Sequence, residues 1–438
     1  MNARNQKLSD DPRERSLTSN SYYLASAPSV GSWPALAGSA DCDVCVVGGG
    51  FAGLSAAIEL ARRGFSVTVL EAEQVGWGAS GRNGGQAIVG HASDAPIENQ
   101  LGDDAARQAW AVTVEGLNLI RERIAEFNID CDFVPGYKYL AVNERKARAL
   151  HEWFEHVTHF YKHPYWRWVG RNEIGEHIAS PRFHSGLHDT LSGHLHPLKY
   201  CRGLARAAAS LGVQIHENSR VVAIERGERP LLKTAAGQVR ARFVVLAGNS
   251  YLGGLVPELQ PRIMPVGTYV VASAPLKPEM ADSLIRERAA VCDSNFVLDY
   301  FRVSPDHRVI FGGRVSYSGM TPPNLAAGMK RRMLKTFPQL GEGVKVDYAW
   351  GGFVDISMNR APDFGRLTPN IYYLQGFSGH GLSLTGMAGR LVAEAIAGQA
   401  GRFDIYARLR HVPFPGGALL RTPALVLGMA WYRLRDLL

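Results

Sequence analysis

A glycine turn near the start of the chain has residue types and spacing that suit phosphate binding. It directly follows a predicted strand at 43–47, whose residues 44–47 are apolar. In the spacing G-x-G-x-x-G the residues of the turn are Gly48, Gly49, Gly50, Phe51, Ala52 and Gly53. In such a turn Gly48 permits a tight bend, Gly50 lets the backbone approach a pyrophosphate, and Gly53 lets the following helix pack on the strand. The N–H groups at the start of that helix favour negative charge. The turn therefore predicts a site for a dinucleotide pyrophosphate.

An acidic residue occupies the position where a ribose-binding carboxylate belongs. Glu71, followed by Ala72, comes directly after a second apolar run, residues 66–70. The acid lies about 20 residues past the turn, as in nucleotide-binding units of this kind. Strand, turn, helix and acid together predict binding of a dinucleotide. They do not separate a nicotinamide nucleotide from a flavin nucleotide.

Two further glycine-rich segments favour a flavin, because a single nicotinamide site would require neither. The first suits a loop that approaches a ligand closely, or merely a flexible loop, and its residues include Gly78, Ser80, Arg82, Asn83, Gly84, Gly85 and Gln86. The second leads from an apolar strand into a helix, through Gly379, His380, Gly381 and Leu382. We also predict Val222 and Gly248 at the cofactor site.

The same segments resemble those of the D-amino-acid-oxidase-like FAD-dependent oxidoreductases, and most closely the gamma-glutamylputrescine oxidase branch. The resemblance covers nearly the whole chain and rests on Ser21-Tyr22-Tyr23, 81–86, Phe311-Gly312-Gly313-Arg314, 359–366, 376–382, 414–417 and 431–434. It implies that FAD is the cofactor and that the helix start near His380 faces the flavin. His380 itself then contacts the flavin or the substrate, or is only structural.

The resemblance implies an oxidoreductase that acts on CH–NH2 or CH–NH donors. The expected reaction converts a gamma-glutamyl amine, of the gamma-glutamylputrescine type, into an aldehyde and releases ammonia and hydrogen peroxide. Molecular oxygen is the expected acceptor. Arg302 and Arg314 are candidate partners of the substrate carboxylate, since arginine binds carboxylates through two parallel hydrogen bonds. Tyr269 is a candidate wall of the pocket, and His380 completes the predicted catalytic group, although each of these residues can equally be structural.

Two other functions stay open at this stage. An amino-acid dehydrogenase or oxidase would pass electrons to a quinone or another acceptor, and a flavin-binding module would hold FAD without turnover. Some relatives attach their flavin through a cysteine, but residues 355–363, where attachment is expected, contain none. We therefore predict non-covalent FAD. Some relatives also use a lysine for reaction with oxygen, and the strand 308–314 has no lysine.

Strands and helices must bring these motifs together. Apolar periodicity predicts a strand at 43–47, a helix at 53–63 and a strand at 66–70, and further helices at 101–127, 143–160 and 323–337. The predicted fold class is α/β, with a Rossmann-like FAD-binding domain interleaved with an antiparallel-sheet substrate domain (α+β). The expected limits are 41–90, 194–265 and 345–410 for the FAD-binding domain, 91–193 and 266–344 for the substrate domain, 1–40 for an irregular lead-in, and 411–438 for a C-terminal tail or helix.

Composition and charge narrow the class of protein. Of the 438 residues, 46% are hydrophobic and 20% are charged, as in ordinary folded domains. An odd number of cysteines, five, indicates a reducing compartment, so we expect a cytoplasmic protein whose thiols belong to the core.

The net charge is +8, and the basic residues are spread along the chain without aromatic residues between them in a regular pattern. This distribution argues against a nucleic-acid site, and we predict no metal site. The apolar run 423–431 is too short to span a bilayer. Packing on the protein itself is favoured for this run over contact with a membrane surface. The oligomeric state stays open.

Overall fold

The described chain folds around two sheets. The structure, a computed structural model, describes residues 20–29, 31–316 and 324–415. Its strands are β1 (Gly38–Val47), β2 (Val67–Leu70), β3 (Gln86–Ala87), β4 (Val134–Ala141), β5 (Trp166–Val169), β6 (Ser185–His194), β7 (Gln214–His216), β8 (Ala223–Glu225), β9 (Leu231–Lys233), β10 (Gly237–Leu246), β11 (Ile263–Ser273), β12 (Ala290–Asp293), β13 (Tyr300–Val303), β14 (Val309–Ser316), β15 (Val346–Ser357), β16 (Asp363–Thr368) and β17 (Ile371–Gln375). Its helices are α1 (Tyr22–Ser26), α2 (Phe51–Arg62), α3 (Ala95–Leu101), α4 (Asp103–Glu126), α5 (Glu144–Phe160), α6 (Ile174–His177), α7 (Pro197–Ser210), α8 (Pro278–Leu284), α9 (Leu325–Thr336), α10 (Gly381–Ile396) and α11 (Gly401–Ala407).

The first sheet has the strand order β16-β17-β10-β1-β2-β7, with β9 beside β10 and β8 beside β9. Strands β17, β10, β1, β2 and β7 run parallel. Helix α2 connects β1 to β2 and packs against α10. This arrangement confirms the Rossmann-like part of the predicted fold.

The first strand–helix–strand unit follows from its local sequence. Residues 44–47 of β1 are all buried, as expected of a central parallel strand that is covered on both faces. Helix α2 ends at Arg62, and Gly64 follows at φ +83. Many helices end with a glycine in this left-handed conformation. The predicted limits of the unit are therefore correct to within a few residues.

The second sheet has the order β15-β11-β14-β13-β12-β4-β6-β3, with β5 beside β6. Its strands pair antiparallel, except that β12 and β4 run parallel. The sheet combines strands that precede β7 with strands that follow β10. The chain therefore passes through both sheets more than once, which confirms the predicted interleaving.

Several predicted elements differ from the structure. Strand β15 pairs with β11 in the second sheet, although the stretch 345–410 was expected in the FAD-binding domain. The lead-in 1–40 is not irregular throughout, because α1 and the start of β1 lie within it. The predicted helix 101–127 is confirmed as α4, which begins at Asp103 directly after Gly102, where φ is +78, but the shorter α3 before it was not predicted. The apolar pattern also missed β4, β5, β6 and α8. The other domain limits stay predictions.

The end of the chain and the cysteines complete the description. Residues 416–438, which include the apolar run 423–431, lie outside the described residues. No helix in the described ranges is both long and apolar enough to cross a membrane. A cytoplasmic location stays a prediction. All five cysteines are buried and free, as expected of core thiols.

Candidate active site

The glycine turn between β1 and α2 has the geometry that the sequence predicts. Gly48 has φ +115, and its N–H donates to Leu70 O at 2.9 Å. A Cβ on Gly53 would lie less than 3.0 Å from Gly48 O and 3.2 Å from Val46 Cγ1. The close approach of helix to strand therefore depends on glycine at both positions.

The second glycine segment lies against the start of α2. Ser80 belongs to a short 3-10 turn, Ala79–Gly81, and its Oγ accepts a hydrogen bond from Phe51 N at 3.0 Å. A Cβ on Gly50 would lie 2.8 Å from the same Oγ. The two glycine segments thus form one cradle, in which the backbone is open to a ligand.

Glu71 lies beside this cradle at the end of β2. Its Oε2 accepts a hydrogen bond from Gly49 N at 2.6 Å, and its Oε1 accepts one from Glu73 N at 2.9 Å. Burial raises the pKa of Glu71, while the two backbone donors act in the opposite direction. A carboxylate fixed next to the turn fits the hydroxyl groups of a nucleotide ribose.

One cavity of about 1580 Å³ extends from the cradle to the second sheet. Ligand pockets measure about 300–1,000 Å³, so this cavity has room for a dinucleotide and a small substrate together. The open cradle, the fixed carboxylate and this volume all fit FAD. The predicted cofactor residues that line the cavity are Gly48, Gly50, Phe51, Ala52, Glu71, Ala72, Gly78, Ser80, Asn83, Gly84, Gln86, Val222, Gly248, Gly379, His380, Gly381 and Leu382.

Three predicted cofactor residues lie behind the cavity lining. Gly53 packs α2 on β1, as described above. Arg82 places its guanidinium over the Trp77 ring, 4.1 Å from the ring centre. A Cβ on Gly85 would overlap Leu195 O, so Gly85 allows two backbone segments to pass closely. These residues support the lining and do not belong to it.

The second sheet and helix α5 cover the other part of the cavity with large side chains. We call this part the aromatic chamber, and its residues are Tyr137, Tyr139, Trp153, Trp166 and Leu187. Asp94 and Glu98 line the same cavity. Asp94 Oδ1 bonds to His91 Nδ1 at 2.8 Å, and Glu98 Oε1 accepts from Tyr161 OH at 2.5 Å and bonds to His156 Nε2 at 2.9 Å. Aromatic rings together with carboxylates suit the binding of a cationic amine.

His380 lies at the start of α10 and lines the cavity. Burial lowers the pKa of His380 to about 4, and the charge of Asp94 opposes this shift while His91 and Arg360 add to it. His380 is therefore neutral at pH 7. The first N–H groups of α10 form the positive end of the helix, which favours negative charge nearby.

Asp355 holds the loop that leads into α10. It is buried, and its Oδ2 accepts hydrogen bonds from Gly376 N and from Phe377 N, the second at 3.1 Å. Burial raises the pKa of Asp355 to about 6. This residue could not be recognised from the sequence, because a single acid within a strand pattern carries no local signal.

Residues 43–395 match the family model described as FAD dependent oxidoreductase. The chain belongs to this family. The predicted enzyme class and the predicted cofactor, FAD, are therefore confirmed. The non-covalent attachment of the flavin stays a prediction.

Individual relatives agree with the family match. The gamma-glutamylputrescine oxidoreductase of Escherichia coli (strain K12) is 45% identical over 95% of this chain and 98% of its own. The probable oxidoreductase OrdL of Haemophilus influenzae is 41% identical over 95% of this chain and 97% of its own. The crystal structure of glycine oxidase from Geobacillus kaustophilus has a TM-score of 0.70 at 22% identity, and the match covers 85% of this chain and 100% of that one. The predicted resemblance and fold class are confirmed.

Arg302 of the oxidoreductase does not take the predicted role. Its side chain is buried, its Nε donates to Gly84 O at 3.0 Å, and its Nη2 donates to Tyr23 OH at 3.1 Å. Arg302 is not among the residues that line the cavity. The predicted contact with a substrate carboxylate is therefore wrong. Arg302 instead fixes the second glycine segment to the tyrosine of the lead-in.

Two other predicted residues have different outcomes. On β11 the side chains of Val266 and Thr268 line the cavity, whereas Tyr269 is buried and packs in a core cluster with Phe301. The prediction that Tyr269 forms a wall of the pocket is therefore wrong. The backbone of Arg314 lies in β14. Its side chain lies outside the described residues, so its contact with substrate stays a prediction.

Several residues that line the cavity of the oxidoreductase could not be recognised from the sequence. Asp94 and Glu98 lie at the start of α3, Trp153 lies in α5 and Trp166 lies in β5, and only the tertiary fold brings these elements together. Arg360 lies in a segment that supported the resemblance, but nothing in the sequence distinguished this arginine from a structural one. It also lines the cavity.

Proposed function

We propose that this oxidoreductase oxidises the free amine end of a gamma-glutamyl amine, of the gamma-glutamylputrescine type. The relative from Escherichia coli bears the name of that activity. The observation that carries the proposal is the single cavity that joins the nucleotide cradle to the aromatic chamber. A flexible aliphatic amine can lie in such a chamber with its reactive carbon towards the cofactor.

The overall reaction converts R–CH2–NH2, O2 and H2O into R–CHO, NH3 and H2O2. FAD, held by the glycine cradle and Glu71, would accept the hydride that leaves the amine carbon and would supply the electrons that reduce oxygen. Loss of hydride from the carbon of the neutral amine leaves a protonated imine, whose extra proton balances the one taken up when oxygen is reduced to H2O2. Water then adds to the imine carbon, and ammonia leaves as the aldehyde forms.

The side chains of the cavity bind and orient the amine in this proposal. The aromatic chamber packs against the methylene groups and excludes water, which strengthens polar interactions at the reacting end. Asp94 and Glu98 attract the ammonium form of the substrate on its way into the cavity. Once the substrate ammonium has lost its proton, the neutral amine can donate a hydrogen bond to neutral His380. The histidine then adds no positive charge beside the reacting carbon.

Anaerobic reduction of the bound flavin tests the substrate. The purified oxidoreductase is mixed with gamma-glutamylputrescine, putrescine or glycine, and the loss of oxidised-flavin absorbance is followed. We expect gamma-glutamylputrescine to reduce the flavin much faster than putrescine, because binding energy from the glutamyl end orients the amine. Reduction by glycine alone, or equal rates with putrescine, would contradict the proposal.

Identification of the acceptor and the products tests the second half of the reaction. We expect oxygen consumption with formation of peroxide, ammonia and aldehyde in equal amounts. Rapid reduction of an artificial quinone, with negligible oxygen uptake, would instead indicate a dehydrogenase.

A further inference from the structure

Among the described residues, one arginine of the cavity has no charged partner. In the described ranges, the arginines that line the cavity are Arg220 and Arg360. Arg220 forms an ion pair with Glu73 at 2.8 Å, near the nucleotide cradle. The guanidinium of Arg360 forms neither an ion pair nor a hydrogen bond with any described residue. It lies over the ring of Phe296, 5.3 Å from the ring centre.

The backbone around Arg360 is held in an unusual conformation. Arg360 has φ +61 and donates its N–H to Ser357 O at 3.1 Å. Asn359, its neighbour, bonds on both sides, because its Oδ1 accepts from Ala361 N at 3.1 Å and its Nδ2 donates to Arg410 O at 3.2 Å. A left-handed conformation at a residue other than glycine is strained and is retained where the surroundings enforce it. The arginine is therefore placed in advance of ligand binding.

The charge of Arg360 acts on the substrate side of the cavity. It helps to lower the pKa of His380 at the start of α10. It also opposes the upward shift that burial causes in the pKa of Tyr139, in the aromatic chamber. Neither nearby carboxylate forms an ion pair with it, since Asp94 bonds to a histidine and Glu98 bonds to a histidine and a tyrosine. The cavity thus contains a fixed cation, Arg360, in addition to the aromatic chamber and the carboxylates that suit an amine.

We propose that Arg360 binds the carboxylate of the glutamyl end of the substrate and thereby selects amines whose far end carries a carboxylate. This inference rests on the proposed function. Guanidinium and carboxylate match in a planar pair with two hydrogen bonds, and the Phe296 ring supports the guanidinium plane. Arg360 takes the place of Arg302, whose hydrogen bonds to Gly84 and Tyr23 leave it outside the cavity.

Two substrates that differ only in the carboxylate isolate this contact. N-glutarylputrescine carries a carboxylate at its far end, and N-pentanoylputrescine carries a methyl group in the same position. For each, the flavin reduction rate constant divided by Kd is measured under anaerobic conditions. The variants are Arg360→Met, Arg360→Lys and, as a matched control, Arg148→Met, which removes an exposed arginine of α5 paired with Glu144.

We expect the wild-type enzyme to prefer the glutaryl substrate by about 10- to 100-fold, the effect of a charged hydrogen-bonded contact. Arg360→Met should bring the ratio close to one, and Arg148→Met should leave it unchanged. Arg360→Lys should retain only part of the preference, because lysine lacks the planar pair of donors. An undiminished preference in Arg360→Met would overturn the assignment, and the proposed function would remain intact.

A binding measurement without turnover separates the two proposals. Gamma-glutamylbutylamine has the same glutamyl end but lacks the terminal amino group. It can therefore bind, but the proposed oxidation of the free amine end cannot take place. Calorimetry with the FAD-loaded enzyme should show a Kd about 10- to 100-fold higher in Arg360→Met than in wild type. An unchanged Kd would refute the role of Arg360. If Arg360→Met does not hold FAD, the substrate preference and the Kd of gamma-glutamylbutylamine are measured in Arg360→Lys instead. Wild-type values of both in Arg360→Lys would refute the role of Arg360.

Discussion

Replacing Gly53 by alanine tests whether the cradle depends on close contact between helix and strand. The added Cβ would lie less than 3.0 Å from Gly48 O, a backbone atom that cannot rotate away. Ordinary contacts are about 3.5 Å or longer, so α2 must move by at least roughly 0.5 Å. Such overpacking costs about 1–3 kcal/mol. The better helix propensity of alanine offsets up to about 1 kcal/mol of this cost.

Gly50→Ala gives a useful contrast with Gly53→Ala. Its Cβ would meet only the Oγ of Ser80, at 2.8 Å, and that side chain can rotate. Rotation forfeits the hydrogen bond from Phe51 N, worth about 0.5–1.5 kcal/mol. We therefore expect Gly50→Ala to weaken FAD binding while the apo protein keeps most of its stability. Gly53→Ala should lower both the affinity for FAD and the stability of the apo protein.

The assay combines urea unfolding of the apo protein with fluorescence titration of FAD. The control is Gly175→Ala, since a Cβ at that exposed position has no atom within 4 Å. We expect Gly53→Ala to lose apo stability and to bind FAD at least about tenfold more weakly, which corresponds to 1.4 kcal/mol. A Gly53→Ala protein with wild-type stability and wild-type FAD affinity would refute the reasoning.

Three further predictions concern the cofactor and the titrating groups. Glu71→Ala should raise the Kd of FAD by roughly tenfold or more, because a charged hydrogen-bond acceptor is lost, and a fluorescence titration measures this Kd. Turnover at saturating FAD should stay unchanged, as steady-state rates would show. For His380, whose pKa falls from 6.5 to about 4 on folding, the unfolded chain binds the extra proton. Wild type should therefore lose stability relative to His380→Asn as the pH falls from 6.5 towards 4, measured by urea unfolding. Acid precipitation should release the flavin into solution, because Cys292 is buried with a raised pKa and residues 355–363 contain no cysteine; colour retained in the pellet would contradict this.

The nucleotide cradle could be predicted because its signals are local. Gly48, Gly50 and Gly53 are needed within one turn, and Glu71 follows at the end of the next strand. A parallel strand buried on both faces is a continuous apolar run, which the sequence shows directly. The order of these elements therefore predicted a dinucleotide site and the first strand–helix–strand unit of the first sheet, whereas the choice of FAD depended on the two further glycine segments and on the resemblance.

The second sheet and the substrate side depend on contacts that are distant in sequence. β4 and β6 contain glycine and polar residues that interrupt a simple alternation, and their pairing partners lie far away along the chain. Membership of β15 in the second sheet follows from pairing with β11, which no local pattern indicates. For the same reason Arg302 and Arg360 could not be distinguished, since only the tertiary fold determines which of them reaches the cavity.

The position of the cavity between the two sheets links cofactor supply to the amount of protein. Its lining comes from both sheets, so FAD binds the folded chain and not the unfolded one. Free FAD at 100 times its Kd adds about 2.7 kcal/mol to the folded state, which lowers the unfolded fraction roughly 100-fold. Proteases in the cell remove unfolded chains. Riboflavin shortage in the host should therefore reduce the abundance of the enzyme itself, beyond the activity lost per molecule.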